Sequence, residues 1–487
     1  MTPMLAADSK SPQILAAAPA MPSEAADDAL PPVVVVGLGE TGLSCLRHLG
    51  REGGRRIVAV DSRPNPPQRA RIEAEFPDLE LHCGPVDERI LVHAQEIVVS
   101  PGVWVQEPFL QKAHAKGIPL IGDIELFARK ADAPVVAITG SNGKSGVTSL
   151  VGEMARQAGR RSLTGGNLGP AALELLGKDA DLYILELSSF QLETTSCLRP
   201  EAATVLNISP DHQDRYADLD EYIEAKRRIL RGAKTLVANL DDPCAAQLAF
   251  DEIAAAAEGA APELIAFSAG SHPKARWRIV DDEGRAFIAC DRKPIFPLDS
   301  MPLSGRHNIA NALAAFALGE AIGLSPAAMA KALQNHKGLP HRCEKVGEAG
   351  QVRWINDSKG TNVGATVAAI EGLAEAKGGP RLILIAGGIG KGADFSPLLA
   401  AARGRVRHAF LFGRDAKAIA AVLGQEIAFG QVADLEAAVA GAATIARPGD
   451  TVLFSPACAS FDMFDNYALR GDRFRCLAQA RIEEVGS

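Results

Sequence analysis

The sequence predicts an α/β protein of three domains: a Rossmann-like N-terminal domain, a central phosphate-loop ATPase domain with a mostly parallel sheet, and a Rossmann-like C-terminal domain. Three observations predict it. A Gly-x-Gly-x-x-Gly turn follows the apolar run Val33 to Val36, a second run from Ala133 to Thr139 breaks into Gly140-Ser-Asn-Gly-Lys-Ser145, and after residue 339 further apolar runs alternate with helix-length segments. The 487 residues exceed one core at roughly 100 to 200 residues per domain. The expected division is a tail over 1–30 and domains over 31–122, 123–338 and 339–487.

Composition narrows the class. A net charge of −8 with interspersed signs argues against a nucleic-acid groove, and no apolar run approaches the roughly 20 residues that span a bilayer. The 8 cysteines are scattered without a Cys-x-x-Cys pair, which fits reduced thiols in a cytoplasm better than a disulfide or zinc framework. Residues 1–30 lack both a basic start and an apolar h-region, so they read as a disordered tail and not as a signal peptide.

In the first domain, Gly37-Leu-Gly-Glu-Thr-Gly42 lies between a strand and a helix, and Asp61-Ser-Arg63 follows a second strand from Ile57. Read alone, this fingerprint with its downstream acid predicts NAD binding. Strands near Glu96 to Ser100 and Pro119 to Ile121 complete the domain.

The stretch Gly140 to Ser145 is a phosphate cradle. Backbone N–H groups of Gly140, Ser141, Asn142 and Gly143, with Gly146 just beyond, are expected to bind the nucleotide phosphates, Lys144 supplies a cation, and Ser145 offers a hydroxyl to a phosphate-bound Mg²⁺. It departs from Gly-x-x-x-x-Gly-Lys-Ser/Thr, because Ile138 stands where the first glycine belongs, and Gly146 weakens the first helical turn by roughly 1 kcal/mol. The apolar strand Leu182 to Leu185 delivers Glu186 at its C-terminal end, as a Mg²⁺ ligand or as a carboxylate facing water. The strand from Ala203 to Ile208 runs into Asp211, His212 and Asp214. In the following amphipathic helix Tyr222 and Lys226 share a face, and the basic residues read most simply as solvated. From Leu240 to Met301 short strands and turns are expected. Asn308 and Asn311, three apart at the start of a long Ala/Leu helix, suit a planar ring or serve as caps.

The third domain opens with His341-Arg342 and Asp357-Ser-Lys-Gly-Thr361, and places Gly387-Gly-Ile-Gly-Lys391 and Ser455-Pro-Ala-Cys-Ala-Ser460-Phe461 after strands. Charged and hydroxyl groups at strand ends suggest a pocket for an anionic substrate. With no Ser/His/Asp triad or reactive cysteine marked out, ATP is the expected driving force, through activation of a carboxylate as an acyl phosphate that an amine then displaces.

Thr139-Gly-Ser-Asn-Gly-Lys-Ser145, Leu185-Glu-Leu-Ser-Ser-Phe-Gln-Leu-Glu193, Asp211-His212, Lys226, His307-Asn308, Asn356-Asp-Ser-Lys359 and Ser455-Pro-Ala-Cys-Ala-Ser460 together resemble the Mur ligase family, from about Val33 to the C-terminus. Ile121-Gly-Asp-Ile-Glu-Leu-Phe127 is similar to the members that join D-glutamate to UDP-N-acetylmuramoyl-L-alanine in cytoplasmic peptidoglycan precursor synthesis. The resemblance implies that activity in a monomer with ATP and two Mg²⁺ ions. It further implies that Gly37, Leu38, Gly39, Glu40 and Thr41 with Asp61, Ser62 and Arg63 hold uridine diphosphate, which displaces the NAD reading. Lys144 then meets the β- and γ-phosphates, Ser145 and Glu186 serve one Mg²⁺, and His212 serves the other. Lys226 is expected to carry a CO₂-derived carbamate as an anionic metal ligand. Asn167 and Ser188 approach the muramoyl moiety, and Asn308, Arg342 and Asp357 approach ATP. His341, Thr361, Lys391, Ser460 and Phe461 surround D-glutamate.

Three residues depart from the family pattern: Gly146 where Thr is usual, Ile389 where Asp is frequent, and Tyr467 where Phe is common. The rival readings are a nicotinamide-dependent dehydrogenase, a folylpolyglutamate synthase and a catalytically silent nucleotide-binding partner. The first leaves the cradle unexplained, the second has no reason for a UDP-type first domain, and the third leaves Lys144, Glu186, His212 and Lys226 without purpose.

Overall fold

Apolar runs flanked by helix-length segments become parallel strands because helices can cover both faces of the sheet. Here they build three sheets in succession. The structure is a computed structural model and describes residues 30–486 apart from 258, 271, 304, 374–380 and 425. The tail expected over 1–30 therefore lies, but for Leu30, outside the described residues.

The first sheet is parallel, in the order Glu80–Cys83, Ile57–Asp61, Val33–Val36, Glu96–Val99, Leu120–Ile121. The chain builds outward on one side of Val33–Val36 and then crosses to the other. The loop Gly37 to Gly39 thus stands at the switch point where such sheets bind ligands. Gly37 sits at φ 92°, and a Cβ on Gly42 would lie 2.1 Å from the Gly37 carbonyl oxygen, so both glycines are required for the tight turn.

The central sheet has nine strands. Seven consecutive strands are parallel, in the order Trp277–Asp282, Glu263–Ser268, Thr235–Asn239, Ala202–Val205, Val135–Thr139, Leu182–Glu186, Ser162–Gly166, and Arg285–Cys290 and Lys293–Pro297 extend the Trp277 edge through antiparallel pairings. Val135–Thr139 lies between the strands that lead to Glu186 and to Asp211, so the cradle emerges between both sets of polar residues. One expectation about secondary structure fails in this domain. The region from Leu240, read as short strands and turns, contains the helix Pro243–Ala255, started by an Asp242 side chain that accepts from the Ala245 N–H at 2.9 Å and by Pro243 in the first turn.

The third sheet runs Glu344–Ala349, Val352–Asn356, Thr451–Phe454, Leu382–Gly387, Val406–Phe412, Ala428–Gln431, and only the first of these strands is antiparallel to its neighbour. The buried Arg470 guanidinium ties its last helix to the loops, donating to the Ser358 and Cys458 carbonyl oxygens at 2.8 and 3.1 Å.

A short helix, Asp123–Ala128, links the first sheet to the second. The buried Asp123 Oδ2 accepts from Gln191 Nε2 at 2.9 Å, and Glu125 Oε2 accepts from the N–H groups of Ser196 and Cys197 at 2.7 and 2.9 Å. Burial pushes the Asp123 carboxyl up to about 6.

Its ionised form therefore opposes folding above that pH. Between about pH 6 and 4 the folded carboxyl takes up a proton that the unfolded chain does not, so the penalty shrinks, and below about pH 4 it is gone. Urea unfolding of Asp123→Asn against the parent protein should show the difference in stability moving by about 2–3 kcal/mol in favour of Asn from pH 4 to pH 7. A flat difference would mean that Asp123 titrates normally.

Candidate active site

The strand Val135–Thr139 is fully buried and ends in a loop whose geometry needs glycine. Gly140 has φ 152° with Leu206 and Asn207 atoms 3.0–3.3 Å from an added Cβ, and Gly143 caps the helix Lys144–Gln157 in the left-handed region. No side chain caps that helix, so its first N–H groups remain for an anion. The loop is braced from the neighbouring strand end. Asn207 Oδ1 accepts from the Asn142 N–H at 2.8 Å, Asn207 Nδ2 donates to the Asn142 carbonyl at 3.1 Å, and the Ser209 N–H donates to Ser141 Oγ at 2.9 Å.

Two lysines converge inside this loop. Lys144 Nζ donates to the carbonyls of Gly140 and Ser141 at 2.7 and 2.9 Å, and Lys226 Nζ donates to the same Gly140 carbonyl at 3.0 Å. The expectation of a solvated basic face is wrong for Lys226, which is only 1% exposed. Its ammonium lies 4.5 Å from the ring centroid of Tyr222, four residues earlier, because this helix face packs onto the cradle. Burial, reinforced by the Lys144 charge, lowers the Lys226 pKa well below the ordinary lysine value.

Glu186 is likewise buried. Asn167 Nδ2 donates to its Oε1 at 2.5 Å, while among the described residues its Oε2 has no hydrogen-bond partner. Burial pushes its pKa up, but Lys144, Ser145, Arg342 and Asn167 outweigh that and hold it below the ordinary carboxylate value. His212, at φ 55°, packs its ring edge-on against Phe190, and burial pushes its pKa down to about 4, so it is neutral near pH 7. Among the described residues no three His, Cys, Asp or Glu side chains form a ready-made metal cluster.

The third domain completes the cradle. Arg342 Nη2 donates to Ser145 Oγ at 2.5 Å, Asn362 Nδ2 donates to Asp211 Oδ2 at 2.8 Å and to Asn142 Oδ1 at 3.3 Å, and Lys391 Nζ stands 3.7 Å from Asp211 Oδ1. Two cavities result. One, of about 350 Å³, is lined by Asn142, Gly143, Gly146, Asn308, Arg342, Asp357 and Lys359 among others. The second, of about 560 Å³, is lined from all three domains, by Trp104, by Phe190 and His212, and by Lys359, Thr361, Lys391, Ser460, Phe461 and Tyr467. Lys359 lines both. Its ammonium rests 3.8 Å above the Tyr467 ring centroid, and burial lowers its pKa to about 8.

Other expected residues fall in different places. Asp61 turns inward, accepting from the Leu38 N–H at 2.7 Å and from the Arg63 guanidinium at 2.7 and 2.9 Å. It shapes the loop from Gly37 to Gly39, while Gly39 starts the helix Glu40–Glu52 without a side-chain cap. Ser62 and Thr41 flank these groups in sequence. Ser188 is a helix cap, its Oγ accepting from the Gln191 N–H at 3.2 Å. Asp357 is buried, accepting from the Cys343 N–H and Ser455 Oγ, and burial pushes it up to about 6. His341 is buried against Asn356 and lines neither cavity. Asn308 and Asn311 are not caps, since the helix Arg306–Ala321 is capped by Gly305. The Asn311 amide instead packs against Gly143.

Sequence reasoning gave no role to Lys359, Asn207 or Asn362. A polar Asn207 closing an apolar strand beside the cradle was the available signal for one of them.

Fold and site together define an enzyme class in which a phosphate loop on one domain is completed by residues of the next. Family models agree: the Mur ligase MurD-like N-terminal domain matches residues 31–122, the Mur ligase middle domain 138–319, and the Mur ligase glutamate ligase domain 341–458. The chain belongs to the Mur ligase family. It is 52% identical over 443 residues to the UDP-N-acetylmuramoylalanine--D-glutamate ligase of Nitrosococcus oceani, covering 91% of this chain and 95% of that one. It is 48% identical to the enzyme of the same name from Pseudomonas aeruginosa, covering 93% and 98%. Among solved structures, a pseudomurein peptide ligase type C from Methanothermus fervidus aligns with a TM-score of 0.58 at 18% identity, covering 92% of this chain and 99% of that one. UDP-N-acetylmuramate-alanine ligase MurC from Thermotoga maritima aligns at 0.57 and 17%, covering 92% and 99%. These two likenesses concern the fold.

Gly146 has ordinary backbone geometry, and the nearest atom to an added Cβ is Asn311 Nδ2 at 3.7 Å, whereas at Gly143 Asn311 Oδ1 would lie at 2.5 Å. Gly146→Ala should therefore raise stability by about 0.5–1 kcal/mol in thermal unfolding and leave nucleotide affinity intact. Gly143→Ala should weaken nucleotide binding. Loss of affinity in Gly146→Ala would show that the loop needs flexibility at that position.

Proposed function

We propose that the protein catalyses ATP-dependent amide bond formation, adding D-glutamate to UDP-N-acetylmuramoyl-L-alanine through an acyl phosphate. Residues 31–122 take the uridine nucleotide, 123–338 take ATP and 339–487 take glutamate. The observation that carries this reading is Lys359, which lines both cavities. Phosphoryl donor and carboxylate acceptor must meet at one junction, and the amine must reach the same carbon. The names of the relatives from Nitrosococcus oceani and Pseudomonas aeruginosa support the choice of substrates.

In this reading Lys144 and the N-terminus of the helix Lys144–Gln157 hold the β- and γ-phosphates, and Asn308, Arg342 and Asp357 line the remainder of the nucleotide site. Arg342 on Ser145 and Asn362 on Asn142 close the loop from the third domain and exclude water from the acyl phosphate. Lys391, Ser460 and Thr361 face the incoming glutamate, with Phe461 at its edge. The buried Glu186 Oε2, unpartnered among the described residues, and the Ser145 hydroxyl suit Mg²⁺, which favours oxygen ligands, and the neutral His212 ring would add a nitrogen. Bound there, Mg²⁺ supplies charge neutralisation at the transferring phosphate.

Lys226 would become an oxygen source only as a carbamate. Its burial beside Lys144 disfavours a second ammonium, and a carbamate formed with CO₂ would turn that position into an anionic ligand. A cytoplasmic, monomeric enzyme fits this reading. Among the described residues no helix is long and apolar enough to cross a membrane.

Phosphate release should require UDP-N-acetylmuramoyl-L-alanine and D-glutamate together, with ATP and Mg²⁺. No release from folded protein with that pair would overturn the assignment. Lys226→Ala should lower turnover by roughly 100-fold or more, with partial rescue by short carboxylic acids. Undiminished turnover in that variant would exclude the carbamate.

A further inference from the structure

Of the three tryptophans, Trp277 and Trp354 are buried, whereas Trp104 is 45% exposed at the wall of the larger cavity. Its exposure is not looseness. The turn that carries it follows the strand Glu96–Val99 and is held from both domains it touches. Ser100 Oγ donates to the Gly37 carbonyl at 2.6 Å, the Val103 N–H donates to the Ser100 carbonyl at 2.9 Å, and the Glu107 N–H donates to the Trp104 carbonyl at 3.0 Å. From the central domain, the Arg215 guanidinium donates to the carbonyls of Pro101 and Val103 at 2.7 and 3.1 Å. Arg215 is itself fixed by Glu193 at 2.9 Å and by the Phe190 ring, 3.9 Å beneath it.

The turn also spans two sites. Its beginning braces the loop at Gly37, where Ser100 and Val103 atoms would lie 2.7–2.9 Å from an added Cβ, and its end, Gly102 and Trp104, lines the cavity that Lys359, Lys391 and Ser460 share. A ligand with its diphosphate at the first and its reacting carboxylate in the second must lay its middle portion across this turn.

We propose that Trp104 is the platform for the sugar ring of the nucleotide-sugar substrate, an inference that rests on the functional reading above. A pyranose presents one face of C–H groups, polarised by the ring oxygens, to the electron-rich face of an indole. A rigidly mounted aromatic loses little freedom on binding, so the stack contributes affinity and fixes how far the acyl arm reaches toward Lys359. Phosphate contacts hold one end of the ligand and carboxylate contacts the other. Trp104 reads what lies between.

The test compares UDP with UDP-N-acetylmuramoyl-L-alanine, using calorimetry and tryptophan emission on the full-length protein and on Trp104→Ala and Trp104→Phe. Trp104→Ala should lose about tenfold in affinity for the sugar nucleotide while its UDP affinity changes by less than about twofold, and Trp104→Phe should keep most of the binding. The Michaelis constant for the sugar nucleotide should rise in Trp104→Ala with those for ATP and D-glutamate unchanged. In the parent protein the sugar nucleotide should perturb tryptophan emission more than UDP does. Equal losses for UDP and sugar nucleotide, or no loss for either, would overturn the platform and leave the ligase reading standing. A parent protein that binds UDP but not the sugar nucleotide would overturn both.

Discussion

The Gly140 carbonyl oxygen accepts from two lysines, Lys144 at 2.7 Å and Lys226 at 3.0 Å, beside a helix N-terminus that is itself partly positive. Glu186 and Asp211 are the closest anions in effect, and both are held in their ionised form by the surrounding cations against the push of burial. Such a site is poised for phosphate, because an anion entering a low-dielectric pocket with donors already aimed meets little reorganisation.

That constraint accounts for the placement of the third domain. The cradle cannot be enclosed by its own sheet, since strand ends open toward solvent. Arg342 on Ser145 and Asn362 on Asn142 and Asp211 supply the roof. Asn362 suits this position because one amide nitrogen offers two hydrogens, one for each neighbour, while its Oδ1 accepts from the Ala365 N–H at 2.8 Å to start the next helix. The same contacts bring Lys359 between the two cavities.

The three-domain α/β plan was legible because glycine turns after apolar runs are local signals with a mechanical meaning. The cradle's missing first glycine became interpretable only in three dimensions. Strand pairing continues to Thr139, Ile138 is buried within it, and Asn207 and Ser209 brace a shorter turn from the adjacent strand. Lys226 was misread because amphipathicity separates a helix's faces without saying which one meets another domain. Asp61, expected beside the uridine nucleotide, has both oxygens on Leu38 and Arg63, a placement that spacing alone does not give. The helix Pro243–Ala255 was missed although Asp242-Pro243 signalled its start, because the Ala-rich run beyond it lacks a clear apolar stripe.

Two lysines at one buried carbonyl disfavour a second ammonium. In the reading proposed above, Lys144 serves the phosphate as a cation and Lys226 takes up CO₂ as a carbamate. Carbon-13 NMR of the protein with labelled bicarbonate tests this most directly. A protein-bound carbamate resonance is expected in the parent protein and absent from Lys226→Ala. A spectrum with no bound resonance, or with the same resonance in both proteins, would contradict it.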